Sequence, residues 1–305
     1  MAGNDPPIVP PPLVPGARVA VIAPSSPFDR ALVVRGMGWL SRRYRVSFDR
    51  DLFERKGYLA GSDERRLTEL DARLRDPTLG AVIVARGGYG LGRIAHRANW
   101  AALRTAPKWL VGFSDATVLH VEALAVGVAS LHAHNTAGLG RGDTHRRERL
   151  RDALEHPMLA RTVRGLERWV GGTAEGPLVG GNLTVLFTCL AAGRLRVPSG
   201  AVLVLEDVTE QAYRVDRMLT ALQVSGALDR VAGVVVGDFT ECPPSRGVTV
   251  REVLEERLGA LGVPVAAGLP FGHELENEPL VLGVRARLDA SGGTLETGSL
   301  PEGAS

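Results

Sequence analysis

The sequence predicts an α/β fold built around a doubly wound parallel sheet. Continuous apolar runs, typical of strands buried on both faces, occupy residues 19–23, residues 80–85 and the stretch just before Ser114. Segments with helical periodicity separate these runs, and 305 residues are enough for two domains. Ligands of such sheets bind beyond the carboxyl ends of the strands. We therefore expect the loops after the three runs to form one site.

Composition excludes several classes of function. Hydrophobic residues make up 45% of the chain, and the 36 basic residues nearly balance the 34 acidic ones, so no nucleic-acid footprint is predicted. The two cysteines show neither metal-ligand spacing nor a disulfide framework, and no H-E-x-x-H or paired C-x-x-C occurs. We therefore expect neither a metal nor another cofactor. No span suits a membrane helix and no signal peptide is recognisable, which favours a cytoplasmic protein.

The first half of the chain alternates between strands and helices. Ser62 with two acidic residues behind it is typical of a helix start, and Asp76-Pro77 is typical of a helix end. The predicted order is a strand at 19–23, a helix ending at 40, a strand at 44–48, a helix from 62 to 76, a strand at 80–85, a helix, the strand before Ser114, a helix to 127 and an apolar segment ending at 134.

The pattern weakens between residues 138 and 176 and then resumes. The second half contains an apolar helix at 183–192, a buried strand at 201–205 and a second strand at 231–236. A helix at 249–261 follows, and the tail, 280–288 with 294–297, predicts a hairpin. The predicted divisions are a proline-rich arm at 1–17, a nucleophile domain at 18–138, a connection at 139–175 and a second domain at 176–305.

Ser114 lies on a predicted turn between a strand and a helix. Such a turn holds the hydroxyl clear of the sheet, and nearby backbone N–H groups at the positive helix end can stabilise an oxyanion. The G-x-S-x-G elbow is not matched, because Ala116 stands where that motif has glycine. The alternative is that Ser114 only caps the helix, as in a ligand-binding α/β protein without catalysis.

An activated serine also needs a base and an acid that orients it. Of the seven histidines, His132, His134 and His273 stand at strand or loop ends, where catalytic groups are commonly placed. Glu206 and Asp207 end a buried strand, and adjacent strand residues point to opposite faces, so only one of them should face the site. Spacing does not decide which one.

The glycine-rich loop at residues 86–90 allows two interpretations. It lacks the Walker lysine-serine pair and the G-x-G-x-x-G spacing, so a phosphate cradle is not supported. It is either a tight turn or a loop whose backbone N–H groups face an oxyanion.

Eight short blocks of the sequence together resemble the LD-carboxypeptidase family, the cytoplasmic muramoyltetrapeptide carboxypeptidases. The resemblance spans residues 18–283. The blocks are Ala23-Pro24-Ser25, Tyr58-Leu59-Ala60-Gly61-Ser62-Asp63-Glu64-Arg65, Ala85-Arg86-Gly87-Gly88-Tyr89-Gly90, Gly112-Phe113-Ser114-Asp115, Val179-Gly180-Gly181-Asn182-Leu183, Leu205-Glu206-Asp207-Val208, Tyr213-Arg214-Val215-Asp216-Arg217-Met218-Leu219 and Leu269-Pro270-Phe271-Gly272-His273.

The resemblance implies a serine peptidase with the triad Ser114, Glu206 and His273. It also implies an oxyanion hole from the backbone N–H of Asp115 and of Gly87 or Gly88. The implied fold is a Rossmann-like N-terminal domain with a parallel sheet and a β-rich α/β C-terminal domain, with the triad between them. The implied assembly is a homodimer.

The implied reaction removes the terminal D-alanine from muropeptide tetrapeptides during peptidoglycan recycling. The free carboxylate of such a peptide needs a cationic partner, and Arg86 is our candidate. The alternative within the wider family is a self-immunity peptidase that cleaves aminoacyl-nucleotide antibiotics. The segment Leu131-His132-Ala133-His134-Asn135 departs from the His-Gly-Pro turn of relatives, in a region that the resemblance places beside the substrate.

Overall fold

The computed structural model describes residues 6–300, in two compact units. The first unit ends at Pro157 and the second begins at Met158. Residues 1–5 of the predicted arm and residues 301–305 of the predicted second domain lie outside the described range.

The first unit alternates strands and helices in chain order. Side-chain oxygens of Asp29, Ser62 and Asp143 accept backbone N–H bonds at the starts of three of its helices. Its elements are β1 (Arg18–Ile22), α1 (Arg30–Leu40), β2 (Arg45–Ser47), α2 (Asp63–Arg75), β3 (Leu79–Val84), α3 (Leu91–Ile94), α4 (Ala101–Thr105), β4 (Trp109–Gly112), α5 (Thr117–Ala125), β5 (Ser130–His132), α6 (Thr136–Leu139) and α7 (Thr144–Glu155), with 3₁₀ turns at Arg50–Phe53, Ala95–Arg97 and Ser114–Ala116.

Five strands of the first unit form a parallel sheet in the order β5-β4-β3-β1-β2. β1 and β3 lie in its middle, and the side chains of Val19 to Ile22 and of Ala81 to Val84 are fully buried. This burial on both faces explains why these strands are continuous apolar runs in the sequence. The loops after β1, β3 and β4 leave the sheet at its carboxyl edge.

The second unit is richer in strands. Helix α10 begins with a reciprocal capping box between Thr249 and Glu252. The elements are β6 (Arg161–Arg164), β7 (Glu167–Val170), β8 (Thr173–Asn182), α8 (Leu183–Ala191), β9 (Val202–Val208), α9 (Ala212–Val224), β10 (Gly233–Thr240), α10 (Val250–Gly259), β11 (Val265–Ala267), β12 (Leu280–Leu282), β13 (Arg285–Asp289) and β14 (Thr294–Thr297).

Eight of these strands form a mixed sheet in the order β6-β14-β13-β8-β9-β10-β11-β7. The four central neighbours, β8 to β11, pair in parallel, and the flanking pairs are antiparallel. Leu178, Val204 and Val235 of the central strands pack in one core with Phe271 and Leu288. The carboxyl ends of β9, β10 and β11 therefore lie side by side.

The predicted α/β fold class is confirmed, and two local expectations change. The tail hairpin consists of β13 and β14 alone, and β12 is a separate strand that ends before Gly283, which has φ +94°. Residues 139–175, treated as a connection in the sequence, contain α7, β6, β7 and the start of β8. The domain limits predicted from the sequence remain predictions. Among residues 6–300 no helix is both long and apolar enough to cross a membrane.

Candidate active site

Ser114 follows β4 in a left-handed backbone conformation, with φ of 65°. A non-glycine residue in this region stores about 1–3 kcal/mol of strain, and such strain clusters at functional sites. The residue before the 3₁₀ turn is Phe113 and the N-cap of α5 is Ala116, so Ser114 occupies neither cap position. The capping interpretation of this serine is therefore wrong.

The glycine-rich loop after β3 approaches Ser114 closely. A Cβ atom on Gly87 would lie 2.9 Å from Ser114 Cβ and 3.1 Å from Ser114 Oγ, so only glycine fits without displacement. The loop after β1 contacts the same segment, because Ser26 N donates to the Gly87 carbonyl (3.3 Å). The three loops thus meet at the carboxyl edge, as the sequence predicted.

Gly88 differs from Gly87 in conformation and exposure. Its φ is +102°, and a Cβ atom there would lie 2.6 Å from Ser26 Oγ. Gly87 is buried whereas Gly88 is exposed. The C=O and N–H of a trans peptide point in opposite directions. Because the Gly87 carbonyl points to Ser26, the N–H of Gly88 points away from Ser26.

Arg86, the candidate for a substrate carboxylate, is exposed at the start of this loop. Its Nη1 donates to the carbonyl of Pro27 (2.6 Å), in the loop after β1. This bond holds the guanidinium at the edge of the loop. It uses one of the five N–H donors of the guanidinium group.

In the second unit, Glu206 and His273 form a hydrogen-bonded pair. Glu206 stands in β9 with no exposed surface, and its Oε2 lies 2.7 Å from His273 Nδ1. Gly272 precedes the histidine with φ of +139°, and a Cβ atom there would lie 3.0 Å from the same Oε2. The glycine therefore allows the imidazole to reach the carboxylate.

Opposing effects set the pKa of His273. Burial lowers it, but the hydrogen bond and negative charge of Glu206, with further contributions from Asp207 and Asp238, raise it above the usual value of 6.5. The pair is therefore an imidazole with a buried anion on one nitrogen. Its other nitrogen, Nε2, is the one a base uses in a serine triad.

Asp207 binds different partners from those of the adjacent Glu206. Its Oδ1 accepts from Asn182 Nδ2 (2.9 Å), and its Oδ2 accepts from Thr184 N and Oγ1 (2.9 and 2.8 Å) at the start of α8. Burial raises its pKa to about 6, against these hydrogen bonds. The two acidic residues therefore have separate partners, as strand alternation requires.

Sequence reasoning missed Asp238, whose carboxylate influences His273. Val236 pairs with Leu205 and Phe239 with Asp207, so Gly237 and Asp238 form a bulge opposite the single residue Glu206. Burial and then the charges of Glu274 and Glu206 raise the pKa of Asp238 to about 7. Its Oδ2 is buried without a hydrogen-bond partner among the described residues. The sequence feature that could have identified Asp238 is an acidic residue near the end of a strand, in a strand that pairs with the one carrying Glu206.

The remaining candidate histidines lie in the first unit, around Phe113. The rings of His132 and His134 each stand edge-on to Phe113, with centroids 6.0 Å apart. Burial lowers the pKa of His134 to about 4, which keeps it neutral. Their packing indicates a structural role beneath the serine turn. Among residues 6–300, no group of three or more His, Cys, Asp or Glu is arranged to hold a metal ion.

Comparison with known proteins connects both units to one family. Residues 19–133 match the LD-carboxypeptidase N-terminal domain and residues 175–288 match the LD-carboxypeptidase C-terminal domain. A putative carboxypeptidase of Streptomyces coelicolor is 42% identical, over 93% of this chain and 94% of the relative. The murein tetrapeptide carboxypeptidase of Pseudomonas aeruginosa is 33% identical, over 90% and 94%.

Solved structures give the same result. The muramoyltetrapeptide carboxypeptidase from Oxalobacter formigenes superposes with a TM-score of 0.84 at 31% identity, covering 93% of this chain and all of that one. The microcin C7 self-immunity protein MccF has a TM-score of 0.87 at 19% identity, covering 96% and 99%. At that identity, the second likeness concerns the fold alone.

Proposed function

Because the chain belongs to the LD-carboxypeptidase family, we propose that it is a serine-type LD-carboxypeptidase that removes the terminal D-alanine from murein tetrapeptides. Two similar proteins, from Pseudomonas aeruginosa and Oxalobacter formigenes, carry tetrapeptide carboxypeptidase names and support this substrate. The scissile bond joins the L-centre of the diamino acid to D-alanine. The assignment as a carboxypeptidase hydrolase, which the resemblance implied, is confirmed by the family.

The hydrogen bond between Glu206 and His273 is the observation that carries the mechanism. A carboxylate on Nδ1 holds the imidazole in the tautomer with its proton on that nitrogen, which leaves Nε2 as a proton acceptor. In the proposed reaction, His273 takes the hydroxyl proton of Ser114 as the oxygen attacks the peptide carbonyl. The buried charge of Glu206 stabilises the imidazolium that forms.

Backbone N–H groups stabilise the tetrahedral oxyanion in this proposal. One donor is the N–H of Asp115, immediately after the serine. For the second we favour Gly88 over Gly87, because the Gly88 residue is exposed and its N–H points away from Ser26. Collapse of the intermediate breaks the C–N bond, His273 returns the proton to the leaving D-alanine, and a water molecule hydrolyses the acyl-enzyme by the reverse sequence.

Arg86 is proposed to bind the free carboxylate of the terminal D-alanine. A guanidinium can hold a carboxylate through two parallel hydrogen bonds. The bond from Arg86 to the Pro27 carbonyl supports this role, because it keeps the group beside the glycine-rich loop. The homodimer and the cytoplasmic location that the resemblance implies belong to this proposal as well.

Substitution of Ser114 by Ala tests the function directly. We expect D-alanine release from a tetrapeptide, measured by mass spectrometry, to fall about 10⁴-fold or more while circular dichroism stays unchanged. A fluorophosphonate probe should label the wild-type serine and not the variant. Retained turnover in Ser114→Ala would refute the nucleophile. Faster cleavage of an aminoacyl sulfamoyl adenosine than of the tetrapeptide would instead favour the self-immunity alternative.

A further inference from the structure

The peptide group between Gly90 and Leu91 is held from both sides by buried charged side chains. Its N–H, on Leu91, donates to Asp115 Oδ2 at 2.9 Å. Its C=O, on Gly90, accepts from Arg66 Nη1 at 2.8 Å. Asp115 is 5% exposed and Arg66 is fully buried. The orientation of this peptide plane, at the end of the glycine-rich loop, is therefore fixed by the Asp115 anion on one side and the Arg66 cation on the other.

The glycine at this position is required by the arrangement. Gly90 has φ of +139°, and a Cβ atom there would lie 2.6 Å from Arg66 Nη1. Arg66 Nη1 also donates to the carbonyl of Pro24, in the loop after β1. One guanidinium thus joins two of the three loops at the carboxyl edge. A residue with a Cβ atom at position 90 would be strained by the positive φ and would displace this guanidinium.

The rest of the loop is fixed by neighbouring contacts. At its start, Ala85 N donates to Ile22 O (2.7 Å), within the sheet. In its middle, Tyr89 N donates to Ser26 Oγ (3.0 Å), and Ser26 N donates to the Gly87 carbonyl. Asp115 and Arg66 hold the far end. The orientation of the Gly88 N–H therefore depends on three anchoring points, of which the Asp115 carboxylate is one.

We propose that the Asp115 carboxylate is a positioning residue that ties the two oxyanion donors to each other. The inference rests on the proposed function and deepens it. The backbone N–H of Asp115 is one donor, and its carboxylate holds the loop that carries the other. Catalytic groups must stay within about 0.5 Å of their productive geometry. One residue joins the serine turn to the glycine-rich loop, so both donors keep a fixed separation.

The chemistry of the pair explains why a buried carboxylate is tolerated. Burial raises the pKa of Asp115 to about 6, while the Ser25 hydroxyl, the Leu91 N–H and the positive charge of Arg66 act in the opposite direction. An uncompensated buried carboxylate would be strongly unfavourable. The Ser25 hydroxyl, the Leu91 N–H and the Arg66 cation on the other side of the same peptide group together compensate this carboxylate.

Substitutions at Asp115 separate positioning from folding. Asp115→Ala removes the acceptor, and we expect kcat to fall about 10²- to 10³-fold, the cost of losing one oxyanion donor, with KM changed less than about threefold. Asp115→Asn keeps an acceptor oxygen for Leu91 N, and its kcat should recover to within about tenfold of wild type. The backbone N–H of residue 115 is present in both variants.

Asp143→Ala provides the matched control. Asp143 also accepts a backbone N–H at a helix start, from Arg146 at 3.0 Å, in the same unit. This variant should melt at a lower temperature with kcat within about twofold of wild type. Arg66→Lys serves as a second variant if Asp115→Ala does not fold, because it loosens the opposite side of the same peptide group. Its kcat should fall about tenfold with KM unchanged.

The outcomes distinguish this inference from the proposed function. Wild-type kcat in Asp115→Ala, or an equal loss in the Asn and Ala variants, would overturn positioning through the acceptor. Unchanged kcat in a folded Arg66→Lys protein would do so as well. Fluorophosphonate labelling rates repeat the comparison without a peptide. Wild-type protein that is labelled but releases no D-alanine would contradict the substrate alone, whereas unlabelled wild-type protein would contradict both.

Discussion

The two units define their candidate catalytic groups by different physical means. In the first unit the backbone sets the geometry: Ser114 has φ of 65°, and Gly87 leaves no space for a Cβ atom beside it. In the second unit side chains do so, because His273 is oriented by a hydrogen bond to the buried Glu206. The first arrangement is sensitive to sterics, and the second is sensitive to charge.

This difference predicts which substitutions each half tolerates. Near Ser114, the addition of one methyl group should lower kcat. Near His273, the removal of one charge without a change in volume should lower kcat. Each unit also contains a control residue of similar chemistry in a different environment. Gly92 is the control for Gly87, and Asp207 is the control for Glu206. The following three experiments test the contrast.

The largest effect is expected for Glu206→Gln. The amide has nearly the same volume but no charge to hold the reactive tautomer of His273 or to stabilise its cation, so kcat should fall about 10³- to 10⁴-fold. The pKa of His273 should fall as well, which moves the acid limb of residual activity to lower pH. Measurement of kcat against pH checks both results.

Asp207→Asn is the control for the charge change on β9. Asp207 binds Asn182 and the first turn of α8, so the variant should lose about 1–3 kcal/mol of unfolding free energy and keep kcat within about threefold. A loss of activity in Asp207→Asn as large as in Glu206→Gln would contradict the separation of the two roles.

An intermediate effect is expected for Gly87→Ala. The new Cβ would stand 2.9 Å from Ser114 Cβ, and displacement of either backbone segment misaligns the hydroxyl with the oxyanion donors, so kcat should fall about 10²-fold. Gly92→Ala, on α3, meets no atom within 4 Å and should leave steady-state kinetics unchanged. Equal kinetics for both variants would show that the close approach has no catalytic consequence.

The smallest effect is expected for Asp238→Asn. A negative charge at residue 238 raises the pKa of His273, and the base acts only when neutral, so activity is lost as pH falls through that pKa. Removal of the charge should lower the pKa and shift the acid limb of kcat/KM to lower pH. The plateau at high pH should stay within about threefold. An unshifted profile would exclude electrostatic coupling between the two residues.

The sequence predicted the fold class and the family because local patterns encode them. The buried strands are apolar runs, and the helix starts carry Asp29, Ser62 and Thr249 as caps, which are properties of short segments. Ser114 was found in the same way, as a polar residue ending an apolar run. The family identification rested on short blocks in order, and the comparisons confirm it.

Several features needed the tertiary structure. The positive φ of Ser114 is a backbone property that the residue type does not indicate. The capping role was excluded only when the cap positions were found at Phe113 and Ala116. The resemblance implied Glu206 as the triad acid, but the hydrogen-bond partners of Glu206 and Asp207 depend on the groups that neighbouring strands and α8 supply. Asp238 was identified as a neighbour of the site only from the bulge that places it opposite Glu206. The hairpin limits also changed, because Gly283 separates β12 from β13.

The sequence by itself determined the fold class, the family and the alternation of strands and helices before residue 138, since these follow from periodicity, caps and adjacent residues. The tertiary structure alone decided the contacts of the Gly90–Leu91 peptide group with Arg66 and Asp115, each of which lies 24 residues from its partner in the sequence. Such contacts depend on how strands order in a sheet and which loops then meet. A linear pattern carries little information about those distances.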